Sequence, residues 1–164
     1  MQRLTNSLLL TLAMTGTLAA QLSSAQSKSS TPAFTLIIST GNQVVKAGAE
    51  LKINVKLNNT GQRTFVSSKW VGGPDYSFKI DVRDAGGRTV PFSEKHRRML
   101  QGKVPSGSSQ HYYVGPGETF QQHRVVNDQY DLSAPGTYNI QVHRFDEASG
   151  VDVKSNTLAI TITP

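Results

Sequence analysis

Leu132-Ser133-Ala134-Pro135-Gly136-Thr137-Tyr138-Asn139-Ile140-Gln141-Val142-His143 is the stretch that decides the fold. From Tyr138 onward apolar and polar residues alternate, so one side chain set faces a core and the other faces water. Pro135-Gly136 just before it is turn chemistry. A leucine, a Pro-Gly turn and a tyrosine opening an alternating strand form the pattern of a tyrosine corner, in which the hydroxyl bonds back to upstream backbone and pins a crossing between two sheets. The plainer alternative is a hairpin with an incidental strand tyrosine. Tyr130 and Asp131 belong to the same structural unit rather than to a site.

Outward from this stretch the period-two pattern recurs at Leu51 to Leu57, at Phe78 to Arg83 and at Leu158 to Ile162. No sustained helical period interrupts it. Asn58-Asn59-Thr60-Gly61, Ala85-Gly86-Gly87 and Gly115-Pro116-Gly117 supply the turns between. Strands are expected near 34–40, 50–57, 63–67, 76–83, 88–92, 111–114, 119–126, 137–145 and 151–163, the last in one piece or two. Seven to nine short, half-buried strands predict an all-β, immunoglobulin-like antiparallel β-sandwich over 33–164; a barrel is the alternative fold.

The first 25 residues read differently. Met1-Gln2-Arg3 is a short positive start, Leu4 to Ala20 is uncharged, and Leu22-Ser23-Ser24-Ala25 ends in small residues. This is the order of a secretory signal. A membrane span needs about 20 predominantly apolar residues, and threonines, Asn6 and Ser7 break the run, so cleavage after Ala25 is expected, with export to the periplasm or the medium. It leaves 139 of the 164 residues and lowers the formal charge from +6 to +5. Gln26 to Pro32 reads as a disordered polar tether. The chain has no cysteine, which excludes thiol catalysis, cysteine-linked lipid anchoring and disulfide staples; a domain of this size is large enough to rely on its core.

The basic balance favours anionic partners such as wall polymers, with simple solubility as the bland reading. No dense Lys/Arg run is interleaved with aromatics, so nucleic acid is not expected. No membrane span, no cofactor and a monomer are expected. His96, His111, His123 and His143 are scattered without metal-ligand spacing; strand order can still gather His111, His123 and His143. No G-x-S-x-G elbow or phosphate-binding glycine loop appears, and the pairs Asp81 with Asp84 and Asp128 with Asp131 sit beside turns. Asp146-Glu147 reads as a hairpin tip. The chain is therefore expected not to be an enzyme.

Two loops are left. Residues 69–75 carry Trp70, the only tryptophan, which either fills one end of the core or serves as an exposed anchor for a partner. Ser93 to Gln110 has little strand signal; loops of more than about 15 residues are functional or disordered. Its first half, Glu94-Lys95-His96-Arg97-Arg98-Met99-Leu100, is basic and suits one helical turn, and it carries +3 through Lys103. Its second half, Pro105 to Gln110, reads as flexible. Trp70, Lys95, Arg97, Arg98 and Lys103 are the candidate partner-binding residues, and a protein is the expected partner. A carbohydrate-binding face would need clustered aromatics, but alternation sends Tyr112 and Tyr113 to opposite faces.

From Leu51 to Phe145 the arrangement resembles the bacterial intracellular proteinase inhibitor family. The resemblance is carried by Ile53 to Leu57 running into Asn58 to Arg63, by the strand ending Val82-Arg83-Asp84, by Ser93-Glu94-Lys95 with Met99, by Pro116-Gly117-Glu118-Thr119, and by Leu132 to Tyr138. It implies an immunoglobulin-like domain and, as an activity, inhibition of a protease. No motif here marks a reactive site, and the family lacks an export signal, whereas this chain carries one. An inhibitor needs a stiff exposed loop; Arg97, Arg98 or Lys103 would suit a trypsin-like pocket, but Gly102, Gly107 and the serines loosen that segment.

Overall fold

The computed structural model describes residues 31–71, 77–102 and 108–164. The expected signal and tether at residues 1–30, part of the 69–75 loop and Lys103 lie outside them, as does the side chain of Trp70.

Ten strands are found among the described residues: β1 Phe34–Thr40, β2 Val44–Lys46, β3 Lys52–Asn59, β4 Phe65–Val71, β5 Lys79–Asp84, β6 Ser108–Val114, β7 Thr119–Val125, β8 Gly136–Asp146, β9 Val151–Lys154 and β10 Leu158–Thr163. One helix, α1, spans Glu94–Gln101. One sheet has the order β1-β3-β7; the facing sheet has the order β2-β10-β8-β5, with β9 also on β8; β4 and β6 pair with each other as a separate two-stranded ribbon. In immunoglobulin terms β1-β3-β7 are strands A, B and E, and β5-β8-β10 are C, F and G. The chain is an immunoglobulin-like β-sandwich. One pair departs from the antiparallel rule: after β1 the chain crosses to the second sheet, where β2 runs parallel to β10.

The alternating stretches build the core. Ile53, Val55 and Leu57 of β3 and Ile140 and Val142 of β8 are fully buried, and one apolar cluster joins both sheets. The corner is also present: the Tyr138 hydroxyl donates to Ala134 O at 2.8 Å. Nearby, the Tyr130 hydroxyl donates to Ile80 O and Asp131 Oδ1 accepts from Ser133 N at 3.1 Å. Both residues therefore serve the fold.

Three expectations need correction. Residues 88–92 form only the isolated bridges Arg83–Thr89 and Phe92–Tyr130, because Pro91 cannot donate to a ladder. Residues 93–110 do not form one long loop: α1 fills the first half with more than a single turn, and Ser108 to Gln110 are strand, not flexible chain. Their partners Lys69 to Val71 extend β4 beyond its expected end; pairing across the ladder overrides weak local propensity. For the last strand, which the sequence left open as one piece or two, the structure has two, β9 and β10, separated by residues 155–157.

Side-chain amides tie strands together in this cysteine-free chain. Asn59, buried, donates to Val114 O at 2.8 Å and Arg63 O at 2.9 Å. Asn127 accepts from Leu51 N at 2.6 Å and donates to Ala49 O at 3.1 Å. Asn156 does the same with Ile38. Asp146 accepts from Ala33 N at 2.9 Å, which anchors the start of β1 to the hairpin tip between β8 and β9.

Candidate partner-binding surface

Helix α1 is capped by Ser93, whose hydroxyl accepts from His96 N at 3.1 Å and donates to Asp128 O at 2.9 Å. The cap satisfies an otherwise orphan helix donor and moors the helix to the segment after β7. Glu94 in the first turn and Arg98 in the last suit the helix dipole. Only His96 is buried, packed 4.8 Å from the Phe92 ring, which in turn lies 5.4 Å from Tyr130. The Nδ1 atom of His96 is buried without a hydrogen-bond partner. Burial, with the Arg124 charge nearby, holds the His96 pKa below its ordinary value.

The sequence-predicted cations of α1 have acid partners. Lys95 Nζ lies 2.5 Å from Asp128 Oδ1, while Arg97 and Arg98 share Glu94 at 2.8 and 2.9 Å. Hydrogen bonding from Arg98, then the charge of Arg97, keeps the Glu94 carboxyl below its ordinary value. All three cations still project into solvent. Being helical, Arg97 and Arg98 lack the extended geometry in which a loop enters a protease cleft, which corrects the loop conformation on which the inhibitor expectation relied. The structure does not unite Trp70 with them in one element: Trp70 stands in β4, opposite Ser109 of β6.

Beside α1 runs a groove of about 590 Å³ across the outer face of β5, β8 and β9. Its helix side is apolar, with Phe92 and Leu100 both exposed. Its sheet side is polar, with Asp81 paired to Arg83 and His143 Nδ1 2.8 Å from Asp152 Oδ2. Lys79 and Lys154 also line it. Counting α1, this face sets six Lys and Arg side chains against four carboxylates. Sequence reasoning missed the groove, because Phe92, His143 and Asp152 are far apart in the chain; the only signal was an apolar pair flanking a basic segment.

A larger cleft of about 1010 Å³ lies at the C-terminal end of β8, next to the groove and sharing His143 with it. Within it the Arg144 guanidinium stands over three rings, 5.6 Å from Phe34, 6.0 Å from Phe65 and 5.6 Å from Phe78, and donates to Ser67 Oγ at 3.0 Å. Asp146 there uses its oxygens on Ala33 N, on Ala148 N at 3.2 Å and on the Ser149 hydroxyl at 2.7 Å. Both charged groups are committed to holding structure.

The three histidines that strand order left open lie on three separate sheets: His111 in β6, His123 in β7 and His143 in β8. Among the described residues no group of three or more His, Asp or Glu could hold a metal ion. Tyr112 packs 4.9 Å from Phe120, whereas Tyr113 stands in solvent, so the two do not form one aromatic face. No helix among the described residues is long and apolar enough to cross a membrane.

No family model matches the chain, and no curated protein matches it. Similar solved structures include the CARDB domain of the PF1109 protein from Pyrococcus furiosus in complex with di-metal ions, at 16% identity and a TM-score of 0.44 over 80% of this chain and 89% of that one. The solution structure of the same domain gives 15% and 0.43 over 80% and 95%. A β-glucosidase from Listeria innocua gives 13% and 0.43 over 79% of this chain but only 16% of its own. Likenesses this distant carry no argument about activity.

Proposed function

We propose that this chain is an exported, non-enzymatic interaction module, acting in the periplasm or outside the cell, whose partner is a protein. The signal-like first 25 residues support export. The observation that carries the binding reading is the face made by α1 and its groove. Exposed Phe92 and Leu100 line one wall, and Lys95, Arg97 and Arg98 stand on the same helix. Phenylalanine and arginine are enriched at protein interfaces, and an excess of cations favours a partner segment that is acidic as well as apolar. Trp70 and Lys103 extend the candidate contact set as sequence-level candidates.

The test is capture from a native envelope extract by the purified mature chain, with the bound protein identified by mass. Wild type retains one defined protein, and Arg97→Glu/Arg98→Glu/Leu100→Ser releases it. Equal retention by the triple variant, or no specific partner in repeated extracts, overturns the reading.

A further inference from the structure

Strand β6, Ser-Ser-Gln-His-Tyr-Tyr-Val, has no lysine, arginine, carboxylate, proline or glycine. Edge strands ordinarily carry such residues because an open row of backbone donors and acceptors recruits other strands. Among the described residues β6 has a ladder on one side only, with β4, and Ser108 through Tyr113 are all exposed. The β4 side of this ribbon is engaged, since Ser68 O accepts from the Ser77 hydroxyl and Val66 O lies 3.5 Å from an Arg144 donor. The other outer strands are protected. β2, β5, β7 and β9 each contain a Lys, Arg or Asp, and uncharged β1 has Ile38 covered by the Asn156 amide. A two-stranded ribbon is marginal in water by itself and gains from a third strand.

We propose that β6 pairs antiparallel with β6 of a second copy about a two-fold axis at His111, giving a four-stranded sheet in the order β4-β6-β6-β4. The strand fits itself. His111 meets its own copy, Gln110 meets Tyr112, and Ser109 meets Tyr113, so no carboxylate, lysine or arginine is left against the partner. Tyr113, 76% exposed, stands across the ladder from exposed Val66 on the same face, and the axis brings the partner's Ser109 beside it. Such an interface is isologous and closes at two copies. It is independent of the α1 face, so failure of either reading leaves the other standing.

The cysteine-free background makes the register testable. Residues directly opposed across an antiparallel pair have Cα atoms about 4.5–5.5 Å apart, within reach of a disulfide. In the full mature chain, mild oxidation should join His111→Cys to itself. Ser109→Cys alone should stay unlinked, and Ser109→Cys mixed with Tyr113→Cys should give the hybrid dimer. Sedimentation should show a wild-type dimer, retained by His111→Gln and lost to monomer by His111→Lys, with helix and strand circular dichroism unchanged in both. A wild type that is monomeric across the micromolar range overturns the proposal. So does a dimer that survives His111→Lys, or cross-linking of Ser109→Cys as fast as His111→Cys.

Discussion

The side-chain amide of Asn156 holds both backbone groups of Ile38: its Oδ1 accepts from Ile38 N at 2.8 Å and its Nδ2 donates to Ile38 O at 3.0 Å. Asn156 sits where β9 gives way to β10, and Ile38 lies in the facing sheet. One side chain thus imitates a ladder partner, covers an uncharged edge and ties the two halves of the sandwich. Related uses of an amide recur at Asn59, which bridges Arg63 O and Val114 O, and at Asn127, which holds Leu51 N and Ala49 O of the segment before β3. Small disulfide-rich domains use cystines for this role; in this cysteine-free chain amides take it.

Asn156→Ala should therefore destabilise the domain by about 2–3 kcal/mol. It removes two partly buried hydrogen bonds and leaves the Ile38 backbone groups to find water. Urea unfolding is the measurement, with the midpoint falling and the m-value unchanged. A loss below about 0.5 kcal/mol, the scale of an ordinary surface change, would show that Ile38 is satisfied without the amide.

Tyr138→Phe tests the corner. The ring remains in the core and only the hydroxyl bond to Ala134 O is lost, so a cost of about 1 kcal/mol is expected. Because that bond spans the turn before β8, amide exchange should rise at Gly136 and Thr137 before it rises in β3. Uniform acceleration throughout the domain would argue against a local pin.

The legible parts of this fold are those where one strand face is dry and the other wet. β3, β5 and β8 announce themselves because Ile53, Val55, Leu57, Ile80, Val82, Ile140 and Val142 fall at alternate positions and are all buried. β6 does so only in its second half, expected at 111–114: its side chains from Ser108 to Tyr113 are exposed on both faces, so no pattern marks where it begins. α1 is only half legible for a related reason: it buries one residue, a histidine, so it has no apolar stripe. The candidate cations were visible as charges, but Asp128, which holds Lys95 from 33 residues away, is fixed by tertiary structure alone. The groove could not be read, since its walls come from α1, β5, β8 and β9.

Acidification should weaken the domain in two windows. The folded state holds His96 below its ordinary value of 6.5, through burial first and Arg124 second. The unfolded chain then binds the extra proton, so stability falls as pH drops below about 6.5 and levels off beneath the folded pKa, with a slope of at most about 1.4 kcal/mol per pH unit. Asp146 acts lower. Burial works to raise its pKa, but hydrogen bonds from Ala33, Ser149 and Ala148 outweigh it and set it below 3.8. Its contribution is present above that value and is lost as pH falls through the folded pKa. Thermal melts from pH 7 to 5 should show the first loss in wild type and not in His96→Gln. Parallel curves for the two proteins would remove His96 as the cause.

Arg144 gives the last prediction. Its guanidinium lies over Phe34, Phe65 and Phe78 and donates to Ser67 Oγ, so one planar group joins β8 to β1 and to the β4–β6 ribbon. A cation over aromatic faces contributes about 0.5–2 kcal/mol, more as it is desolvated, and Arg144 is half-buried. Lysine cannot reproduce this, because it offers a point charge where a flat fork stacks and donates at once. Arg144→Lys and Arg144→Ala should both loosen the ribbon preferentially, which hydrogen exchange reads as faster exchange at Val66 to Ser68 with β3 and β8 unchanged. Arg144→Met separates the contributions: its apolar stem still packs on the rings, but Ser67 loses its donor. If Arg144→Met protects the ribbon as well as arginine does, packing alone anchors β4. If it behaves like alanine, the hydrogen bond to Ser67 and the charge over the rings are what hold the ribbon to the sandwich.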